Sequence, residues 1–397
     1  MKATAYLKLS GSLIALTAAA VSQADAQTTG WTGGSSFHTN APTAGGAGGG
    51  TPIIGDNLWH NPLNWGGGTP NAGVDVSIGL ATRDQYYVRY SCNGPGPAPD
   101  LDWCENIYDS LRPGSGWDQV MLTGQAGNAR NLYIGLAGDR GLKYNSGGPG
   151  HLTNESSLTV IQNMVVGQTG VGTYIATGTT TVGGNVVIGG EGNGTVTNTN
   201  RMDVGGNLTV GANAKGTLNN TDIVEVEGDI TVGQSAQGVF ANTGGTVTAV
   251  GNFIVGFEAE GEFTNSGTVT VGRNFTVGES GQGTVNNNGA ATITVTGNTA
   301  IGENAAGIGA ITLRNTSSLT TGGTMMVGEH GKGTLVIGTE ARAETTGRVT
   351  LGTSVSGIGI VSNSGTMINR DRLVVGVMGQ GGSSRLAMLP QPQPAMS

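Results

Sequence analysis

Hydrolytic chemistry in a chain of this kind has to start from its carboxylates. Cleaving a glycosidic or uronic-acid linkage takes two carboxylates, or an Asp with a Lys or Arg, held on one face. The densest acidic patch is Glu258, Glu260 and Glu262, which reads as a solvated turn. Glu225, Glu227, Lys215, Arg273 and Lys332 are scattered near expected turns, and no acid/base pair is expected at one position of neighbouring units. His38, His60, His151 and His330 are far apart, and Cys92 and Cys104 lack the partners and spacing of a zinc site. No G-x-S-x-G, P-loop or G-G-x-G-x-D nonapeptide occurs. The expectation is a non-enzyme with no catalytic residue, no metal and no cofactor.

Two groups remain with chemistry to offer. Tyr86, Tyr87, Tyr90, Trp103 and Trp117 cluster around the two cysteines and are the candidate ligand-binding residues, because exposed rings stack on sugars. The competing role for the same rings is a small local core. Cys92 and Cys104, the only two cysteines, read as a disulfide formed after export. On the chain-entropy model such a loop is stabilised by about 3 kcal/mol.

The compartment is read at the N-terminus. Lys2 and Lys8 precede the apolar stretch from Leu13 to Val21, and Ala24-Asp25-Ala26 forms an A-x-A cleavage signal. Residues 1–26 are therefore expected to be a signal peptide, and the mature protein extracellular or at a bacterial cell surface. Net charge is −8 with no basic cluster, which excludes an electrostatic footprint for nucleic acid or anionic lipid. Beyond the signal peptide no apolar run is long enough for a membrane helix.

The positioning elements come from glycine. Gly accounts for 74 of 397 residues, while charged residues make up only 11%, against about 25% in ordinary domains. An aliphatic-Gly pair recurs at Val166-Gly167, Ile188-Gly189, Val210-Gly211, Val232-Gly233, Val255-Gly256, Val277-Gly278, Ile301-Gly302, Val327-Gly328, Leu351-Gly352 and Val375-Gly376. A second glycine follows five residues later, from Gly172 through Gly307, Gly333 and Gly357 to Gly381. A fixed period of this length marks a repeat architecture. Apolar residues alternate within each unit, as in Val186 and Ile188 or Phe253 and Val255, and period two means strands. Three short strands per unit make one coil of a β-solenoid, and coils stacked at about 4.8 Å would build a rod of roughly 50 Å.

Asparagine marks the turns twice. Asn131, Asn163, Asn185, Asn207, Asp229, Asn252, Asn274 and Asn298 stand four residues before the anchor glycines, and Asn198, Asn220, Asn242, Asn265 and Asn287 stand nine after. Both sets read as scaffold ladders in which each Asn bonds its counterpart in the next coil. All five tryptophans (Trp31, Trp59, Trp65, Trp103, Trp117) precede the repeats, and the chain entering the rod reads as an aromatic cap over its first open edge.

The expected organisation is a signal peptide (1–26), an N-terminal cap and first coil (27–81), an insertion with Cys92–Cys104 (82–125), β-solenoid repeats (126–381) and a Pro-rich tail (382–397). The tail, Pro390-Gln391-Pro392-Gln393-Pro394, reads as an extended linker, which leaves the last coil open and predicts self-association through the solenoid end.

The N-terminal signal, the motif Asn64, Trp65, Pro70, Asp75, Val76 and Ile78, and the N-x-x-V-G-x-x-x-x-G-T-V-T-N coils from Asn163 to Gly381 together resemble the passenger regions of Gram-negative autotransporters, the type V secretion family. The resemblance covers most of the mature chain. It implies a right-handed parallel β-helix displayed at the bacterial surface, often for adhesion, aggregation or biofilm formation, with cell-surface glycans or proteins as partners. The departure is at the C-terminal side: such proteins normally carry a membrane β-barrel of about a dozen strands, and no ten-residue alternating strands follow Gly381. A barrel lost, a barrel on another chain and a released protein all stay open. The rival class is a carbohydrate-active β-helix enzyme, a polysaccharide lyase or glycosidase.

Overall fold

The computed structural model describes residues 126–135 and 150–376, together with the strands Thr28–Gly30, Asp75–Ile78, Asp118–Leu122 and Arg385–Met388. The signal peptide, the five tryptophans, Tyr86, Tyr87, Tyr90, Cys92 and Cys104 lie outside these residues.

Every described strand belongs to one of three parallel sheets, of thirteen, twelve and eleven strands, and from Asp75–Ile78 onward the described strands pass from sheet to sheet in rotation. Between Gly150 and Val375 the chain completes ten coils, each giving one strand to each sheet. The first sheet holds the three-residue strands that precede the anchor glycines, such as Val186–Ile188 and Leu208–Val210. The second holds Gly194–Asn198 and its equivalents, and the third Arg201–Val204 and its equivalents. Each coil pairs residue for residue with the next, as in Val210 with Val232.

Alternation sends every second side chain into the rod. Strands of the second sheet repeat a buried–half-buried–buried pattern, and the inward residues Val196, Leu218, Phe240 and Phe263 are all fully buried. Phe240, Phe253, Phe263 and Phe275 form a continuous aromatic stack, with ring centroids 4.9 Å apart for Phe253–Phe263 and 5.5 Å for Phe253–Phe275. Two rows of a parallel sheet, buried on one face, fix register, because a one-residue slip would turn the whole row outward.

The anchor glycines turn the chain out of the first sheet. From Gly135 to Gly376 their φ values lie between +59° and +81°, a region L side chains rarely adopt. The second glycine is needed for close approach instead. A Cβ on Gly238 would stand 2.3 Å from the Gly233 nitrogen of its own coil and 2.3 Å from the Val210 carbonyl of the previous one.

Three expectations change. The second glycine is not always five residues on: Gly283 pairs with Gly309, and Gly333 with Gly359, so these coils use a step of seven. There, Gly307 and Gly357 close a local turn, donating to the Asn304 and Ser354 carbonyls at 2.8 Å and 3.1 Å, and two extra residues are absorbed before the strand begins. The insertion drawn over 82–125 contains solenoid at its end, since Asp118–Leu122 pairs with Gly150–Asn154. The tail is not wholly linker: Arg385–Met388 adds to the second sheet beside Ile360–Asn363.

Candidate functional site

The two asparagine ladders turn out to be different devices. Apart from the buried Asn131, the set before the anchor glycines lies at or near the surface, and each side-chain oxygen accepts from the backbone N–H at the same position of the next coil: Asn207 N–H to Asn185 Oδ1 at 2.8 Å, Asp229 N–H to Asn207 Oδ1 at 2.8 Å, Asn298 N–H to Asn274 Oδ1 at 2.9 Å. The oxygen occupies the space where a Cβ on the preceding residue of the next coil would be, 2.4 Å away at Gly206 and 2.2 Å at Gly228. That is why Gly so often precedes Asn here.

The second set is inside the rod. Asn198, Asn220, Asn242, Asn265 and Asn287 are at most 1% exposed; the Nδ2 of each of the first four donates to the Oδ1 of the next at 2.8 Å, and that of Asn287 to the Ser318 carbonyl at 3.0 Å. The remaining Nδ2 proton of each goes to a turn carbonyl of its own coil, such as Asp222 O for Asn220 at 2.9 Å and Gly245 O for Asn242 at 2.8 Å. The run starts where Ala176 stands beside Asn198 in the previous coil, and there Asn198 Oδ1 has no partner. One coil further back Asn154 is again buried, bonded to the Tyr174 and Thr180 hydroxyls at 3.3 Å. Burial pushes the Tyr174 phenol up to about 12.

Reactive groups gather elsewhere, at the turn after the first sheet. Glu279, Glu303 and Glu329 each follow an anchor glycine directly, in three successive coils. Their N–H groups donate to the Gly256, Gly278 and Gly302 carbonyls of the preceding coils at 2.9, 3.1 and 3.0 Å, so the three stack in register. All three are half-buried, and Thr276 Oγ1 donates to the Glu303 carboxylate at 3.2 Å. Burial, then the nearby Glu303 and Glu258 charges, push the Glu279 carboxyl up to about 7. Glu303 is also raised, by burial first and by Glu329; Thr276 and His330 oppose it. A stacked row of carboxylates, one of them holding a proton near neutral pH, can attract cations and can give up a proton to a bound molecule. Three carboxylates therefore share one position of neighbouring coils, where the expectation concerned only an acid/base pair. The signal was present in the sequence as three consecutive V-G-E or I-G-E triplets.

The acidic patch of Glu258, Glu260 and Glu262 is split by the fold. Glu258 and Glu260 lie in the same turn, near Ser235 at 3.5 Å and Gln237 at 3.2 Å, whereas Glu262 faces outward on the second sheet. Not all coil charges sit at turns. Arg201 pairs with Asp203 at 2.8 Å and with Glu225 across the third sheet, and Glu344 is clasped by Arg342 at 2.7 Å and by Arg370. His151, on the second sheet, and His330, in a turn several coils on, are not brought together, and no group of metal-ligating side chains forms among the described residues. No helix among the described residues is long and apolar enough to cross a membrane.

Comparison with known proteins leaves the geometry to speak alone: no family model, no curated protein and no solved structure matches the chain.

Proposed function

We propose that this protein is an exported, non-enzymatic rod acting at the cell surface as an adhesin or structural element, with glycans or surface proteins as partners. The observation that carries the reading is the run of ten coils in unbroken register, whose inward positions are spent on packing and whose outward strand positions are largely Thr, Ser and Asn. A rod of this kind presents a long repetitive surface and keeps it rigid. The signal-peptide pattern and the resemblance to autotransporter passengers support export and display. The aromatic cluster Tyr86, Tyr87, Tyr90, Trp103 and Trp117 is the proposed contact point for sugars.

The test is binding without turnover. Purified mature chain should bind cells, matrix proteins or arrayed glycans and release no product from uronic-acid or neutral polysaccharides. The same protein with Trp103 and Trp117 changed to Ala should bind more weakly. Undiminished binding by that variant would move the contact off the aromatics, and no binding to any surface would remove the adhesin reading.

One observation favours the rival enzyme. Stacked coils repeat at about 4.8 Å, close to the roughly 5 Å between the two carboxyls of retaining glycosidases. A carboxyl held near 7 beside a second one is the pairing an acid and a nucleophile require. Here, however, Glu279, Glu303 and Glu329 occupy the same position of successive coils and so form a single row. Polysaccharide cleavage abolished by both Glu279→Gln and Glu303→Gln would establish the enzyme.

A further inference from the structure

A three-residue turn leads into the first sheet in successive coils, and its middle residue is usually glycine, as at Gly184, Gly206 and Gly297. A side chain there would crowd the ladder oxygen of the coil before. The surface ladder records this. Where Gly precedes the donor, the N–H to side-chain oxygen distance is 2.6–2.9 Å. Behind Gln162 it is 3.0 Å, and behind Arg273, from Asn274 N–H to Asn252 Oδ1, it reaches 3.2 Å. Arg273 is held where the scaffold favours glycine.

Other departures from the repeat gather beside it. Asp229 is the one carboxylate in a row that is otherwise Asn from Asn131 to Asn298. The ladder has no use for its charge, because Oδ1 alone accepts from Asn252 N–H at 2.6 Å and from Asn252 Nδ2 at 3.1 Å. Glu227 stands two residues earlier, where the two preceding coils carry Gly183 and Gly205. Val250 takes that position one coil on and is 48% exposed. Glu227, Asp229, Val250 and Arg273 line one cavity of about 230 Å3, with Gly228 and Gly251 along its length. Gly251 N–H donates to Gly228 O at 3.0 Å and Arg273 N–H to Gly251 O at 3.1 Å, so the three are in register and Arg273 closes the far end. The trough thus has carboxylates at one end and a guanidinium two coils on, about 10 Å along the rod. Neither Glu227 nor Arg273 has an ion-pair partner among the described residues.

We propose that this trough binds a small extended zwitterion, an ω-amino acid or a dipeptide, with an ammonium at one end and a carboxylate at the other. The ammonium meets Glu227 and Asp229 Oδ2, the oxygen that the ladder leaves over. The carboxylate meets Arg273, whose planar fork matches both of its oxygens. The carbon chain between them lies over Gly228 and Gly251 and against Val250. The volume is below the roughly 300 Å3 at which drug-sized pockets begin, which limits the ligand to this size. Spacing supplies the selectivity, since an ammonium and a carboxylate on the same carbon are too close to reach both ends. The site is separate from the aromatic cluster proposed to contact sugars.

Titration calorimetry and ligand-observed NMR on the full mature chain at low salt test this, with ε-aminocaproate as the probe and caproate and hexylamine as its single-charge counterparts. A ligand this small, held at two solvent-accessible charges, should bind with a Kd of about 1 mM. Each counterpart should bind about fivefold more weakly or worse, the worth of one such charge contact. The variants put back residues that other coils carry at the same positions, so the ladder and the fold survive them. Glu227→Gly with Asp229→Asn should bind ε-aminocaproate no better than the unchanged protein binds caproate. Arg273→Gly should reduce it to the level of hexylamine, and circular dichroism should match the unchanged protein in both cases. No binding of ε-aminocaproate well above this concentration, equal binding of all three probes, or binding that survives both variants would overturn the proposal.

Discussion

Changing one asparagine in each ladder separates burial from hydrogen bonding. Asn242→Ala removes three bonds of 2.8 Å: from Asn220 Nδ2, to Gly245 O and to Asn265 Oδ1. At about 1 kcal/mol net per bond this is about 3 kcal/mol, and the void left at a 1% exposed position raises it toward about 4. The loss is bounded because each abandoned group keeps one partner. Asn220 Nδ2 retains Asp222 O, Asn265 Oδ1 retains Gly267 N–H at 3.1 Å, and Gly245 O retains Thr268 N–H at 2.9 Å. Asn185→Ala removes one side-chain acceptor at the surface, and water can replace it, so about 0–1 kcal/mol is expected. Urea denaturation followed by far-ultraviolet circular dichroism should rank the two. Hydrogen exchange should place the Asn242 effect in its own and adjacent coils, since a solenoid's stability is close to a sum of nearest-neighbour contributions. Equal costs for the two changes would refute the claim that the inner ladder is held by bonds water cannot replace.

Glycine changes should split the same way. Gly238→Ala drives a Cβ to 2.3 Å from two backbone atoms and should cost about 3 kcal/mol or more, whereas Gly127→Ala meets only the ends of the Leu122 and Leu158 side chains and should cost about 1; comparable denaturation midpoints would contradict this. The carboxylate row predicts that stability falls as pH rises. Glu279 has a folded pKa raised from 4.5 to about 7, so its contribution is complete below about 4.5 and is lost on passing through 7. Unscreened, the shift is worth about 3 kcal/mol, and solvent access reduces it to about 1. Glu279→Gln should flatten the pH dependence of the midpoint between 5 and 8, and an unaltered slope would argue against the shift. Exported protein should weigh two hydrogens less than its reduced form, with the link mapped to Cys92 and Cys104; two free thiols would leave that segment held by its aromatics alone.

The coil, its inward rows and its anchor turns are legible in the amino-acid sequence, because they depend on information local to one repeat. Period two places Val210 inward, and a positive-φ turn demands Gly211, whatever coil lies next to it. The acidic row is equally legible as triplets at one position, but its meaning is not. A glutamate after a glycine reads as solvated until the stacked turns are found to half-bury it.

What required the tertiary structure is everything set by the contact between coils. Two asparagine rows of the same residue type serve one as buried amide pairs and the other as surface caps on backbone N–H groups, since only the assembled rod says which side of the wall each faces. Likewise, Gly309 rather than Gly307 continues the glycine row, because register is chosen by pairing with Gly283 across the sheet and not by counting along the chain. By itself the sequence determined the repeating unit, whose dihedral and burial demands are local. The stacking of units decided which polar groups lost water, and with that which of them carry stability and which carry charge.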